Sequence, residues 1–401
     1  MGSVIRLGVG NLEVDWGKNW NFIDHCPVFQ PEDIGEAEYF YIDDKRGMIS
    51  EKREAYRKPL RDVLPRLELL GHTLTTACQE YESLRDAFDR GRALSFEHLL
   101  DAIKRVDVES TSPEYSDDHD FGEFFTEEIV PRLKLEGYVD RPPEHRYFGE
   151  MMENFHPWSA LRLLAERPSN LALPVVWYFA DVIDGGWEDR EFFDPSVPQS
   201  GRFLLVTEGS SDARILRKAL DLLRPAVRDF FYFVDMEEGY PFTGTGNLAN
   251  FCKGLASIGI LNNILVIFDN DAEGVYKSRQ VLALNRPCNM SVMVLPSLPE
   301  LAHVETIGPS GKTYQDINGR AASIEAYLDL KWKAKSNPIV RWSAYQQQLD
   351  CYQGALVTKE HYAREFLALR SQMSGYDFSK LNVVLDQIVK LCVETVSKKN
   401  S

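Results

Sequence analysis

The sequence predicts an α/β core built on a Rossmann-like, parallel four-stranded sheet, preceded by an α+β N-terminal region and followed by a helical tail. Three observations carry that prediction. From residue 202, short apolar runs alternate with amphipathic stretches: FLLV then SDARILRKALDLL, FFYFV then LANFCKGLASIG, ILVIF then EGVYKSRQVLAL, and last SVMVL. Runs that are apolar throughout suit strands covered on both faces, and the alternation with helices makes the sheet parallel. Gly185-Gly186, Pro195 and Pro198 break the chain just before this region. Finally, 401 residues exceed one ordinary core, so two or three domains are expected.

The elements follow in order. SVIRLGVGNLEVDW alternates and turns at Gly10-Asn11, which predicts a hairpin. From residue 50 to 107 the apolar positions recur every three or four residues amid dense charge, which predicts amphipathic helix. Ser95 is placed to cap a helix over SFEHLLDAIKRV. Residues 108–122 are acidic and turn-rich and read as a loop. FFTEEIVPRLKL reads as a short helix, RPPEHR as a break, and 157–185 as partly helical. Residues 320–401 read as mostly helical. The expected domains are an N-terminal module over 1–110, a helical connecting region over 111–199, the catalytic core over 200–334 and a C-terminal helical segment over 335–401. Trp16, Trp20 and His25 are expected in core and hairpin packing.

Composition narrows the classes. Apolar residues make up 44% of the chain, which is a folded composition. With 45 basic and 61 acidic residues the net charge is −16, so nucleic acid would have to meet a local basic patch or bound metal. The six cysteines stand far apart with no CxxC pair or zinc spacing, which predicts reduced thiols and a cytoplasmic protein. The start has no signal-peptide core, and no run approaches the ~20 apolar residues of a membrane helix.

Two stretches carry the chemistry. VTEGSSDARIL runs from a buried strand into Glu208 and Asp212, and IFDNDAEG runs from another into Asp269 and Asp271. Sites in open parallel sheets form at the carboxyl ends of strands. If the first and third strands are neighbours, these carboxylates converge. Alternation puts Asp269 and Asp271 on one side, with Asn270 opposite. Such oxygens suit a hard divalent cation, and a separate glutamate suits proton transfer or a second ion. A plainer reading competes: an acid after a buried strand often caps the next helix, as Asp212 or Asp271 would.

The ordered series Glu208-Gly209 and Asp269-x-Asp271-x-x-Gly274 resembles the signature of the Toprim domain, shared by topoisomerases, primases and OLD-type nucleases. The resemblance covers roughly residues 200–330. It implies that Glu208 is the acid/base or metal glutamate and that Asp269 and Asp271 hold Mg²⁺ or Mn²⁺. Asp212 matches the additional acid of OLD-type members. DINGRAASIEAYLDL resembles the segment in which they place a further Ser-x-Glu, here Ser323 and Glu325, and Glu325 joins the implied metal set. One departure is that OLD-type proteins usually carry an ATPase domain, whereas GPSGKT (308–313) is two residues short of a P-loop and reads as a turn. The stretch VDWGKNWNFIDHCPVFQPEDI (14–34) is similar to the N-terminal module of bacterial conflict proteins that carry a HEPN or Toprim effector.

The main expectation is a metal-dependent endonuclease acting on DNA, with RNA as second choice, in an anti-phage or conflict system. Glu208, Asp269 and Asp271 are its catalytic residues. Arg214, Lys218 and Lys312 are substrate-contact candidates, with Arg217 on the same helical face as the first two. A sensor protein or a second copy of the chain is a further expected partner, and no membrane is expected. The alternatives are a metal- or nucleotide-sensing module with latent catalysis, and a primase-like polymerase on the same core. Weaker signals are Arg92-x5-His98, read as ordinary helix residues, Asp235 after the second strand, and Gly244-Thr245-Gly246-Asn247, read as a turn and cap.

Overall fold

The structure is a computed structural model. It describes residues 2–400 apart from 44–46, 89–94, 113, 115–119, 134–141, 235–244, 259, 310, 335 and 371–374. The chain forms two compact units, Met1–Pro198 and Gln199–Ser401.

The first unit is built on a five-stranded antiparallel sheet of order β2-β1-β5-β4-β3. Its strands are β1 (Val4–Val9), β2 (Leu12–Lys18), β3 (Ile34–Asp43), β4 (Gly47–Pro59) and β5 (Pro174–Tyr178). The β1–β2 hairpin turns at Gly10, whose φ of 58° suits glycine, as its sequence predicts. Helices α1 (Leu60–Leu69), α2 (Leu74–Phe88), α3 (Phe96–Ile103), α4 (Val108–Thr111), α5 (Phe121–Phe124), α6 (Pro142–Met152), α7 (Pro157–Leu164) and α8 (Ala180–Asp184) complete it. Ser95 caps α3 by accepting the His98 N–H, as expected. Arg66 is fully buried, and its guanidinium donates to the carbonyls of Pro27 and Phe29.

Four expectations for this unit are corrected. Residues 50–59 are strand, not helix: residues up to Tyr56 pair with β3, Tyr56 to Pro59 pair with β5, and the helix begins at Leu60. The break expected at RPPEHR is the start of α6, with Pro142 at its first turn, where a missing N–H costs nothing. The stretch read as a connecting region supplies β5 to the centre of the sheet. His25 is buried as expected, but Trp16 and Trp20 are more than half exposed.

The second unit holds the parallel sheet, order β10-β8-β6-β7, with β6 (Phe203–Val206), β7 (Phe231–Phe233), β8 (Asn263–Phe268) and β10 (Met290–Val294) all parallel. Every residue of β6 and β8 is buried. That is why both read as unbroken apolar runs. Helices α9 (Ser210–Leu223), α10 (Thr245–Ile258) and α11 (Ala272–Leu282) follow the first three of these strands, as the alternation predicts. Leu248, Cys252 and Leu255 of α10 and Val281 of α11 fill one side of the sheet against Val206, Ile264 and Val266. Helix α13 (Ser379–Asn400) lies against β8, β10 and α9.

The region from 320 onward departs from the helical expectation. A second sheet of order β12-β11-β14-β15 contains β11 (Val304–Gly308), β12 (Gly311–Gln315), β14 (Ile339–Gln346) and β15 (Cys351–Leu356). The β-branched and aromatic content of IVRWSAYQ favours strand over helix. Only then does the chain turn helical, through α12 (Lys359–Leu367) and α13. A short ladder joins β9 (Asn270–Asp271) to β13 (Ala321–Ala322) and pins the 320s segment to the end of β8.

Candidate active site at the carboxyl edge of the parallel sheet

Strands β6 and β8 are neighbours, so the acids that follow them meet. Glu208 leaves the end of β6 and ties the two strands together: its Oε1 accepts the Asp269 N–H at 3.0 Å, and its Oε2 accepts the Thr245 hydroxyl at 2.7 Å. Asp212, in the first turn of α9, reaches back so that its Oδ2 accepts the Gly209 N–H at 3.1 Å. Asp269 accepts the Ile324 N–H on Oδ1 at 3.1 Å. Asp271 caps α11, its Oδ1 accepting the Gly274 N–H at 2.7 Å, while its Oδ2 accepts from Gln353 Nε2 at 2.6 Å. The capping role foreseen for Asp271 is therefore real and occupies one oxygen. Asn270 turns away toward Ser297, Tyr327 and the Gly319 N–H, the alternation expected of an extended segment.

The β9–β13 ladder brings Glu325 to the same place. It is almost fully buried, and it accepts Ser323 Oγ at 2.6 Å and Ser211 Oγ at 3.3 Å. At Gly274 the backbone approaches closely within the site: a Cβ there would stand 2.3 Å from the Asp269 carbonyl oxygen.

The electrostatics are those of crowded carboxylates. Burial raises Glu208 to about 7, with Asp271 and Glu273 adding to the rise and Thr245 and the Asp269 N–H opposing it. Burial also raises Asp212 to about 7, helped by Glu325 and Glu208. Asp269 is held well above the usual carboxylate range by burial and by Asp212, Glu208, Asp271 and Glu325 together. Asp271 is raised by burial, against the Gly274 and Gln353 hydrogen bonds and the Lys359 charge. Such all-oxygen, mutually repelling donors have the chemistry a hard divalent cation accepts. Among the described residues no group of three or more His, Cys, Asp or Glu forms a preset metal-binding cluster. The carboxylates are instead engaged with internal donors.

The other sequence candidates are placed differently. Arg214 and Arg217 are exposed and Lys218 half-buried on α9, opposite the buried Ile215, Leu216, Ala219 and Leu220, the two-faced pattern the sequence predicts. Lys312 is not brought to the acids. It lies in the β11–β12 hairpin that GPSGKT turns, ion-paired with Glu305 at 2.8 Å. Its strand is three across from β15, about 14 Å at ordinary strand spacing. His98 is tied to Ser95. Arg92, Asp235 and Gly244 lie outside the described residues. Sequence reasoning missed Gln353 and Lys359, and it read Thr245 as part of a turn rather than as a partner of Glu208. Gln353 binds Asp271 and also accepts the Glu273 N–H at 3.0 Å. No motif marks Gln353 or Lys359, which the β14–β15 hairpin and the helix after it bring to the site, whereas Thr245 comes from the first turn of α10.

Residues 1–200 match the family model for HEPN/Toprim N-terminal domain 1. The first unit is thus the HEPN/Toprim-associated module that the stretch from Val14 to Ile34 resembles, and the match reaches beyond residue 110 to residue 200. No curated protein and no solved structure matches the chain. Among the described residues, no helix is long and apolar enough to cross a membrane.

Proposed function

We propose that the second unit is a Toprim-type phosphodiesterase that cleaves DNA with Mg²⁺ or Mn²⁺, carried behind a HEPN/Toprim N-terminal domain as an effector in a bacterial conflict system. The observation that supports it is the gathering of Glu208, Asp212, Asp269, Asp271 and Glu325 at the carboxyl edge of two adjacent parallel strands, with the first three raised by burial and by one another. The family description of the first unit supports the effector setting.

Asp269, Asp271, Asp212 and Glu325 would hold the ion, which when bound supplies a Lewis acid for water activation and for the charge of the leaving oxygen. Glu208, at about 7, is poised near neutrality to take or hold a proton on an oxygen it now offers to Thr245. Gln353 fixes the rotamer of Asp271, and the Lys359 ammonium lowers the cost of keeping Asp212 and Asp271 ionised together. A second reading is a metal- or nucleotide-sensing module with latent catalysis. It is favoured by the internal donors that already engage the carboxylates.

The deciding experiment compares wild type with Asp269→Asn and Glu208→Gln on plasmid, linear DNA and RNA, with Mg²⁺ or Mn²⁺, alongside calorimetric metal binding. Metal-dependent cleavage lost in both variants upholds the nuclease. Metal binding lost in Asp269→Asn, without cleavage in any sample, upholds the sensor.

A further inference from the structure

Helix α9 leads away from the acidic site along its exposed face. Asp212 lies in its first turn, and Arg217 follows about 7.5 Å further along the axis. There the helix meets β7, the open edge of the parallel sheet, across a cavity of about 360 Å³. Arg217, Asp221, Arg228, Tyr232 and Phe233 line it. The Arg217 guanidinium lies over the Phe233 ring, 5.5 Å from its centre. Among the described residues Arg217 forms no ion pair, and its guanidinium lines the cavity. Tyr232 is held by Asn262, which donates to its hydroxyl at 3.1 Å. Phe233 is level with Leu205 in the β6–β7 register, three residues before Glu208. At strand rise that is about 10 Å from the acids.

A cavity with two guanidinium groups, one carboxylate and a half-buried aromatic ring at an open edge is suited to a phosphate beside a flat, apolar group. We propose that it takes one nucleotide of a single strand of nucleic acid, the phosphate on Arg217 and Arg228 and the base against Phe233. The inference rests on the nuclease reading for its direction, since it runs the strand from this cavity along α9 to Glu208. A paired base has both faces stacked within the duplex and has none to offer Phe233, so the cavity selects single strands. It also places a local basic site on a chain whose net charge is −16.

The test is fluorescence anisotropy of labelled single-stranded DNA, single-stranded RNA and duplex DNA with the full-length protein, metal-free so that nothing is cleaved. Single strands are expected to bind more tightly than duplex, and the DNA and RNA arms show which sugar is preferred. Arg217→Glu should weaken single-strand binding at least tenfold and reduce the slope of log affinity against log salt by about 0.7. Phe233→Ala should weaken it by roughly 5- to 150-fold, the range of a lost base–aromatic stack. Arg217 is exposed, so its variants keep the fold, which near-UV circular dichroism verifies. Equal affinity of wild type and Arg217→Glu, or a preference for duplex, overturns the proposal. Asp269→Asn separates the two readings. Should it still cleave while Arg217→Glu loses binding, the acidic site is misassigned and the cavity stands. Should wild type bind no nucleic acid, the cavity proposal falls, and metal binding still tests the acids.

Discussion

Gly274→Ala probes how tightly the acidic site is built. Gly274 is the third residue of α11, and its N–H is committed to Asp271 Oδ1. A methyl group there would stand 2.3 Å from the Asp269 carbonyl oxygen and 3.1 Å from Glu208 Oε1. The carbonyl must retreat by 0.7 Å to reach 3.0 Å, below which such contacts essentially do not occur. The obstacle is backbone, so no side-chain rotation relieves it. Moving Asp269 disturbs its N–H bond to Glu208 and its bond from Ile324 together. Overpacking of this kind costs about 1–3 kcal/mol. At roughly 2–4 °C per kcal/mol for a unit of this size, the melting temperature should fall by about 2–12 °C. Displacement of reacting groups on the order of 1 Å costs about a hundredfold in rate. Calorimetric melting, Mg²⁺ titration and cleavage rates measure all three effects. Gly254→Ala is the control: it lies within α10 with nothing within 4 Å of its added methyl, and should be neutral or stabilising by up to about 1 kcal/mol. If Gly274→Ala melts and binds Mg²⁺ as wild type does, the close approach of α11 to the acids is wrong.

Further outcomes follow from the same geometry. Glu208 and Asp212 are raised to about 7 in the folded chain from ordinary values of 4.5 and 3.8. Their protonated forms therefore favour the fold, a contribution fully present below about pH 4 and lost as pH rises through 7. Without metal the urea midpoint should fall between pH 5 and 8, and Glu208→Gln should flatten that fall; a rising midpoint would contradict the burial of these acids. Gln353→Ala frees Asp271 Oδ2 and the Glu273 N–H, and should lower metal affinity by about 10- to 100-fold, as loss of a ligand-orienting partner does. Isothermal titration with Mn²⁺ reads it, and unchanged affinity would remove Gln353 from the site. In the first unit, Arg66→Ala leaves the carbonyls of Pro27 and Phe29 without their donor and opens a buried space, which should cost about 3 kcal/mol in denaturant unfolding. A loss under 1 kcal/mol would show that water replaces the guanidinium.

The parallel core was legible because strands buried on both faces leave no polar interruption, and FLLV and ILVIF mark β6 and β8 almost to the residue. The acids were legible because they sit where apolar runs stop. What escaped was long-range. KREAYRKP looks helical because charges fall between apolar positions at mixed spacing, yet cross-strand pairing with β3 and β5 holds it extended. The β14–β15 hairpin carries β-branched and aromatic residues but runs directly into the helices α12 and α13, whose pattern dominates the end of the chain. Gln353 and Lys359 touch the site from about 80 residues beyond Asp271, a separation no local pattern spans. Trp16 and Trp20 are expected in packing, whereas the structure leaves both more than half exposed.

The ladder between β9 and β13, with the hairpin that follows it, has a consequence for the order in which the molecule is made. During synthesis, Glu208, Asp212, Asp269, Asp271 and Glu325 have all emerged before Gln353 and Lys359 exist. A nascent chain ending near residue 334 holds five crowded acids without the amide that fixes Asp271 or the ammonium that offsets the crowd. The amide and the ammonium thus reach the acids only with the stretch beyond residue 334, and a chain still on the ribosome at that point carries an acidic edge without them.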